Sequence, residues 1–140
     1  MRCTAALLAD AAQVVGGKLY MLGGGFDTLT AREYPVTHRA LSLVIVFEVG
    51  PLDRNRDLEI VTKLLDEDGR EMGVESKGTF RVGTPSTLPA GATSLIPLVT
   101  VFGNLQFPEP GGYVFIIEHD EQELARVPLR LQRPPGMRPA

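Results

Sequence analysis

Residues 104–118 read NLQFPEPGGYVFIIE, and the reading of this stretch decides the fold. Pro108 and Pro110 cannot donate to a β-ladder, so a strand must stop before them. Gly111 and Gly112 supply the permissive backbone of a tight corner. Tyr113, Phe115 and Ile117 then alternate with Val114 and Ile116, the period of a strand buried on one or both faces. A tyrosine placed just after such a corner can bury its ring and return its hydroxyl to a backbone group nearby.

The same period recurs outward in both directions. Leu41, Leu43, Ile45, Phe47 and Val49 share one face, while Ser42, Val44, Val46 and Glu48 share the other. The second face is half apolar, which predicts a central strand. Residues 58–65 (LEIVTKLL) form the next strand, closed by a turn at Asp66–Gly69 whose Asp-Gly step favours a hairpin. Residues 70–82 form another strand, and 83–93 the longest loop. Ser94–Phe102 alternates again around Pro97, and Leu124–Leu131 around Pro128; both prolines predict edge strands or breaks in a ladder. Arg126 and Arg130 flank Pro128 like charges guarding an edge.

Residues 4–15 (TAALLADAAQVV) fit two structures. Apolar positions 7, 8, 11, 14 and 15 suit an amphipathic helix capped by Thr4. The rival is a strand closed by Gly16-Gly17 and followed by Lys18–Leu22, a hairpin pattern, and it is preferred. Gly23-Gly24-Gly25 then predicts a bulge, a bend or a close backbone approach. A phosphate-binding loop would need glycines at other offsets and a helix behind them.

The chain has 140 residues and is read as one domain over 1–132 with a proline-rich flexible tail over 133–140. Its 15 glycines and 11 prolines suit short strands and tight turns. A net charge of −3 argues against general attraction to nucleic acid or anionic lipid. The single cysteine, Cys3, excludes an intrachain disulfide framework and suits a reducing cytoplasm. Ala5–Ala9 is too short for a signal-peptide core, and no apolar run reaches membrane-spanning length.

Groups that could carry chemistry are sparse. Asp66-Glu67-Asp68 lacks the spacing and flanking helices of a calcium loop and reads as a solvated turn. His119 lies between Glu118 and Asp120, but strand neighbours point apart and His38 is distant, so a zinc set is incomplete. Cys3 has no identifiable base. Ser42, Ser76, Ser86 and Ser94 sit in no nucleophile elbow. No catalytic, cofactor-binding or metal residue is therefore assigned.

Four segments resemble a family of uncharacterised bacterial proteins known only as a domain of unknown function. They are Leu8–Val14 with Gly17-Lys18-Leu19; Leu22-Gly23-Gly24-Gly25-Phe26-Asp27; Leu64–Gly69; and Phe107–Tyr113. The resemblance implies a small immunoglobulin-like β-sandwich and supports the hairpin over 5–22. It implies no catalytic residue. Where relatives would place an Asp-Gly hairpin tip, this chain has His119-Asp120-Glu121-Gln122, which predicts a longer or differently built turn.

The expected fold is all-β: a single immunoglobulin-like antiparallel sandwich of about eight strands. The expected function is a non-catalytic protein-interaction or assembly module, not an enzyme, needing no cofactor. The alternative is a small-ligand binder or an enzyme with a pocket near Gly23–Asp27. A protein partner or self-association is expected, with neither nucleic acid nor membrane. The expected contact edge is the N-terminal hairpin, with Leu7, Leu8, Leu19 and Tyr20 as its candidate residues, since only Asp10 and Lys18 guard it.

Overall fold

A computed structural model of the chain describes residues 1–136, so the last four residues of the expected tail, 137–140, lie outside the described residues. Among the described residues nine strands form two sheets: β1 (Arg2–Val15), β2 (Lys18–Phe26), β3 (Thr28–Thr30), β4 (Val36–Val49), β5 (Asp57–Leu65), β6 (Glu71–Arg81), β7 (Ser94–Phe107), β8 (Gly111–His119) and β9 (Gln122–Gln132). The first sheet has the order β2-β1-β4-β7 and is antiparallel throughout. The second has the order β3-β9-β8-β5-β6 and is mixed. The architecture is all-β and sandwich-like.

The central strand is the one the alternation picks out. β4 is paired on both sides, and Leu41, Leu43, Ile45, Phe47 and Val49 all point into the core. Leu58, Leu64, Phe115, Ile117 and Leu129 of the second sheet complete that core. Aromatic rings bridge the layers, with Phe102 and Phe115 centroids 5.3 Å apart.

The corner forms as the prolines and glycines require. β7 ends at Phe107 and β8 begins at Gly111. The Tyr113 hydroxyl donates to the Glu109 carbonyl at 2.7 Å, and its ring meets Phe107 edge-on at 5.0 Å. Glu67 reaches from the β5–β6 turn to accept the Gly112 N–H. That turn is the expected hairpin: Asp66 Oδ1 accepts from the N–H groups of Asp68 and Arg70, and Gly69 takes φ +77°.

Three expectations need correction. The strands number nine, and one ladder is parallel: the chain crosses from one sheet to the other at Asp27, so Thr28–Thr30 runs alongside Arg130–Gln132. β9 is therefore not the edge of its sheet. Pro128 is tolerated because the Arg130 N–H points outward to Asp27 O, and two residues earlier the same side of β9 lies beyond the end of β3. The turn after His119 is not longer: Asp120 and Glu121 alone form it, at φ +49° and +63°. Pro97 does lie on an edge strand, β7.

The β4–β5 connection holds a buried carboxylate. Asp53 accepts the Gly50 N–H at 2.9 Å, pairs with the Met1 ammonium at 3.2 Å, and has Arg56 at 3.5 Å. Burial pushes the Asp53 pKa up, but the Gly50 N–H and the two cations outweigh it and hold the value below the ordinary 3.8. A carboxylate depressed on folding contributes stability at pH values above its unfolded pKa, and that contribution is lost as pH falls through the folded value. Asp53→Asn should therefore lower the urea midpoint above about pH 4, and the gap from wild type should shrink on acidification. A gap independent of pH between 2 and 6 would show that the carboxylate's charge is not what stabilises the loop.

Candidate interaction surface

The N-terminal segment forms the hairpin rather than the helix. Gly16 and Gly17 both have positive φ, +59° and +74°, the two-residue turn that matches strand twist. β1 pairs with β4 only as far as Ala9 opposite Ser42; beyond that its sole ladder partner is β2. Residues 10–22 therefore leave the sandwich as a two-stranded arm.

The glycine triplet sets where the arm departs. The register jumps between Leu8–Phe26 and Ala9–Gly24, so Gly25, at φ +86°, is the extra residue of a bulge. A Cβ on Gly23 would run into the Asp10 carboxylate across the hairpin. Backbone does come close here to this chain's own Asp10 side chain, while at Gly25, in the bulge, nothing lies within 4 Å of where a Cβ would stand.

The arm is apolar and uncovered. Val14, Val15, Tyr20, Met21 and Leu22 are all exposed, Tyr20 by 53% and Leu22 by 74%. Successive strand residues point to opposite faces. Exposure of Tyr20, Met21 and Leu22 in a row therefore means that neither face of the arm is covered. The outer edge of β2 has no ladder partner among the described residues. A two-stranded ribbon is marginally stable alone in water, so this one gains from anything that covers it.

Of the four residues expected at the contact edge, the structure brings only part to the arm. Tyr20 is on it, and Leu19 lies half-buried opposite Val14. Leu7 is half-buried at the arm's root. Leu8 is a correction: it is 0% exposed, because β1 is still sandwiched between β4 and β2 there and turns Leu8 into the core. Val14, Val15, Met21 and Leu22 are exposed on the arm but are not among those four. Their signal was two apolar runs adjoining Gly-Gly, with too few polar positions to give either face to water.

The polar groups hold one another. His119 Nδ1 lies 2.9 Å from Glu59 O and its Nε2 3.2 Å from Asp120, while Lys63 stands between Glu118 at 3.5 Å and Glu71 at 3.6 Å. Lys63 is held above its ordinary pKa chiefly by Glu118. Among the described residues, no three His, Cys, Asp or Glu side chains gather as a metal set. Cys3 turns its thiol to Ala5 O at 3.2 Å, and burial pushes its pKa up, away from the reactive thiolate. No helix among the described residues is long and apolar enough to cross a membrane.

These features define a two-layer β protein that presents an unpaired apolar hairpin arm. The chain belongs to a family of unknown function, DUF6941, whose model matches residues 4–132. No curated protein matches it. A solved β-glucuronidase of glycoside hydrolase family 2 is similar over 71% of the chain at 16% identity and a TM-score of 0.34. The chain spans 10% of that enzyme's length, and a likeness this slight bears on neither fold nor activity.

Proposed function

We propose that this chain is a non-catalytic assembly or protein-interaction module of the cytoplasm that engages a protein partner, or a second copy of itself, through the β1–β2 arm. The observation that carries it is the run Tyr20-Met21-Leu22, exposed on both faces of a ribbon with an unpaired edge. Exposed apolar patches of about 300–600 Å² mark contact sites on monomers; here Val15, Tyr20 and Leu22 share one face of the ribbon and Val14 and Met21 the other, so a partner that wraps it covers a total of that order. Burying roughly 400 Å² at ~25 cal/mol per Å² yields about 10 kcal/mol gross. Association costs about 4–15 kcal/mol, so the arm supports a contact of modest affinity.

An immunoglobulin-like topology belongs to the same reading. Adjacent β4 and β7 correspond to the B and E strands of such domains, and β5-β8-β9 to C, F and G. Tyr113, bonded back to Glu109 at the corner before β8, stands where these domains carry a tyrosine corner. The half-buried Cys3 thiol, the sole cysteine, suits a reducing compartment.

Light scattering at about 100 μM, together with a pulldown of a stoichiometric partner, tests the reading. Leu22→Lys should abolish the association while leaving the circular dichroism spectrum unchanged. If neither self-association nor any stoichiometric partner depends on Leu22, the arm is not the contact.

A further inference from the structure

A second surface lies on the other side of the molecule, independent of the arm. β7 is the far edge of its sheet and β6 the far edge of the other, and no ladder joins them. A groove runs between them. Its sections pair Met72–Glu75 with Phe102–Gln106, then Ser76–Phe80 with Leu98–Thr100, then Arg81–Thr84 with Ser94–Leu98. The last section is an open depression lined by Phe80, Val82, Pro85, Ile96 and Leu98 together with Arg54.

Arg54 is the unexplained group. It is 8% exposed, yet its guanidinium meets only neutral acceptors: Nη1 donates to Gly83 O at 2.8 Å and Nη2 to Ser94 Oγ at 2.6 Å. Its Nε is buried and has no partner. Among the described residues no carboxylate pairs with it. Asp53, its neighbour in sequence, turns instead to Gly50, Met1 and Arg56, and Asp57 pairs with Arg81 at 3.1 Å. Buried charges in folded proteins are paired, because neutral dipoles only partly replace the water lost.

We propose that this end of the groove binds an organic anion of amphipathic kind, a carboxylate on an aliphatic body. The carboxylate sits at the Arg54 guanidinium, and the apolar body lies along Phe80, Ile96 and Leu98. A small molecule fits better than an added peptide strand. Pro97 has no N–H to offer at the centre of the β7 stretch that borders the depression, and proline there guards the edge against strand pairing.

The probe is decanoate, titrated by calorimetry into the full chain below its micelle concentration, with decanol as the neutral control. Saturable one-to-one binding of decanoate is expected, with decanol about tenfold weaker or worse, the worth of one charge-assisted hydrogen bond. Arg54→Met should weaken decanoate by a similar factor and leave decanol unchanged. Because Arg54 also ties two loops together, Pro85→Glu gives a second reading: an exposed substitution that places a like charge in the depression and should weaken decanoate in a folded protein. Failure of wild type to bind decanoate at about millimolar concentration overturns the proposal. So do equal affinities for decanoate and decanol, or a folded Arg54→Met that binds decanoate as wild type does. None of these outcomes depends on whether the arm self-associates.

Discussion

Leu8→Lys is expected to unfold the chain at room temperature. The side chain is fully buried against the core strands, so losing its contacts costs about 2–5 kcal/mol, as for other large-to-small core changes. The ammonium adds the cost of an unpaired buried charge, because no carboxylate belongs to the core cluster around it. Domains of this kind are stable by about 5–15 kcal/mol, so the two terms together remove most or all of that margin. The contrast is Leu22→Lys, 14 positions on, where an exposed substitution should change stability by no more than about 0.5 kcal/mol. Circular dichroism and urea unfolding on the pair decide the matter. A folded Leu8→Lys with a wild-type midpoint would place β1 outside the core and remove the basis for the arm's departure at Ala9.

Tyr113→Ala is expected to cost about 3–5 kcal/mol, the range for large aromatic truncations. The ring is 5% exposed and packed edge-on against Phe107, and its hydroxyl closes the corner onto Glu109. Tyr113→Phe separates the two contributions: it keeps the ring and loses one hydrogen bond, for about 0.5–1.5 kcal/mol. Burial already pushes the hydroxyl's pKa up, as a phenol held away from water requires. Equal losses for the two variants would mean the hydroxyl rather than the ring holds the corner; no loss for Tyr113→Phe would mean the 2.7 Å contact is not formed in solution.

The core strand and the corner were legible because both rest on local chemistry. Alternation over Leu41–Val49 requires one buried face wherever the strand sits, and Pro108, Pro110 and Gly111-Gly112 force a stop and a turn without help from distant residues. The hairpin over Arg2–Phe26 was legible against its own helix-forming alanines because Gly16-Gly17 fixes a two-residue turn. Leu8 was not legible as core: apolar residues stand on both sides of Asp10, and it is the ladder to β4, which ends at Ala9, that puts Leu8 inside and Val14 and Val15 outside. β3 was invisible because three residues carry no period, and its partner lies at the other end of the chain. The turn at Asp120-Glu121 hid for the opposite reason. It takes the left-handed backbone usual for Asn-Gly with residues that rarely adopt it, so its composition suggested a longer loop. Arg54 gave no sign in sequence, since a lone arginine in a polar loop is normally solvated.

The parallel ladder between Thr28–Thr30 and Arg130–Gln132 makes order of synthesis matter. As the chain leaves the ribosome, β1, β2 and β4 can associate as soon as residue 49 is free. β3 must wait for β9. At about 5–20 residues per second, the interval between the two is roughly 5–20 s. During it the second layer is built strand by strand, β5 and β6 first, then β8 and last β9, while the apolar arm is already out. Neighbouring nascent chains on one message would then meet through their arms before either had closed. Assembly, if it uses the arm, can begin in the polysome, and the β3–β9 ladder is the step that completes the second sheet.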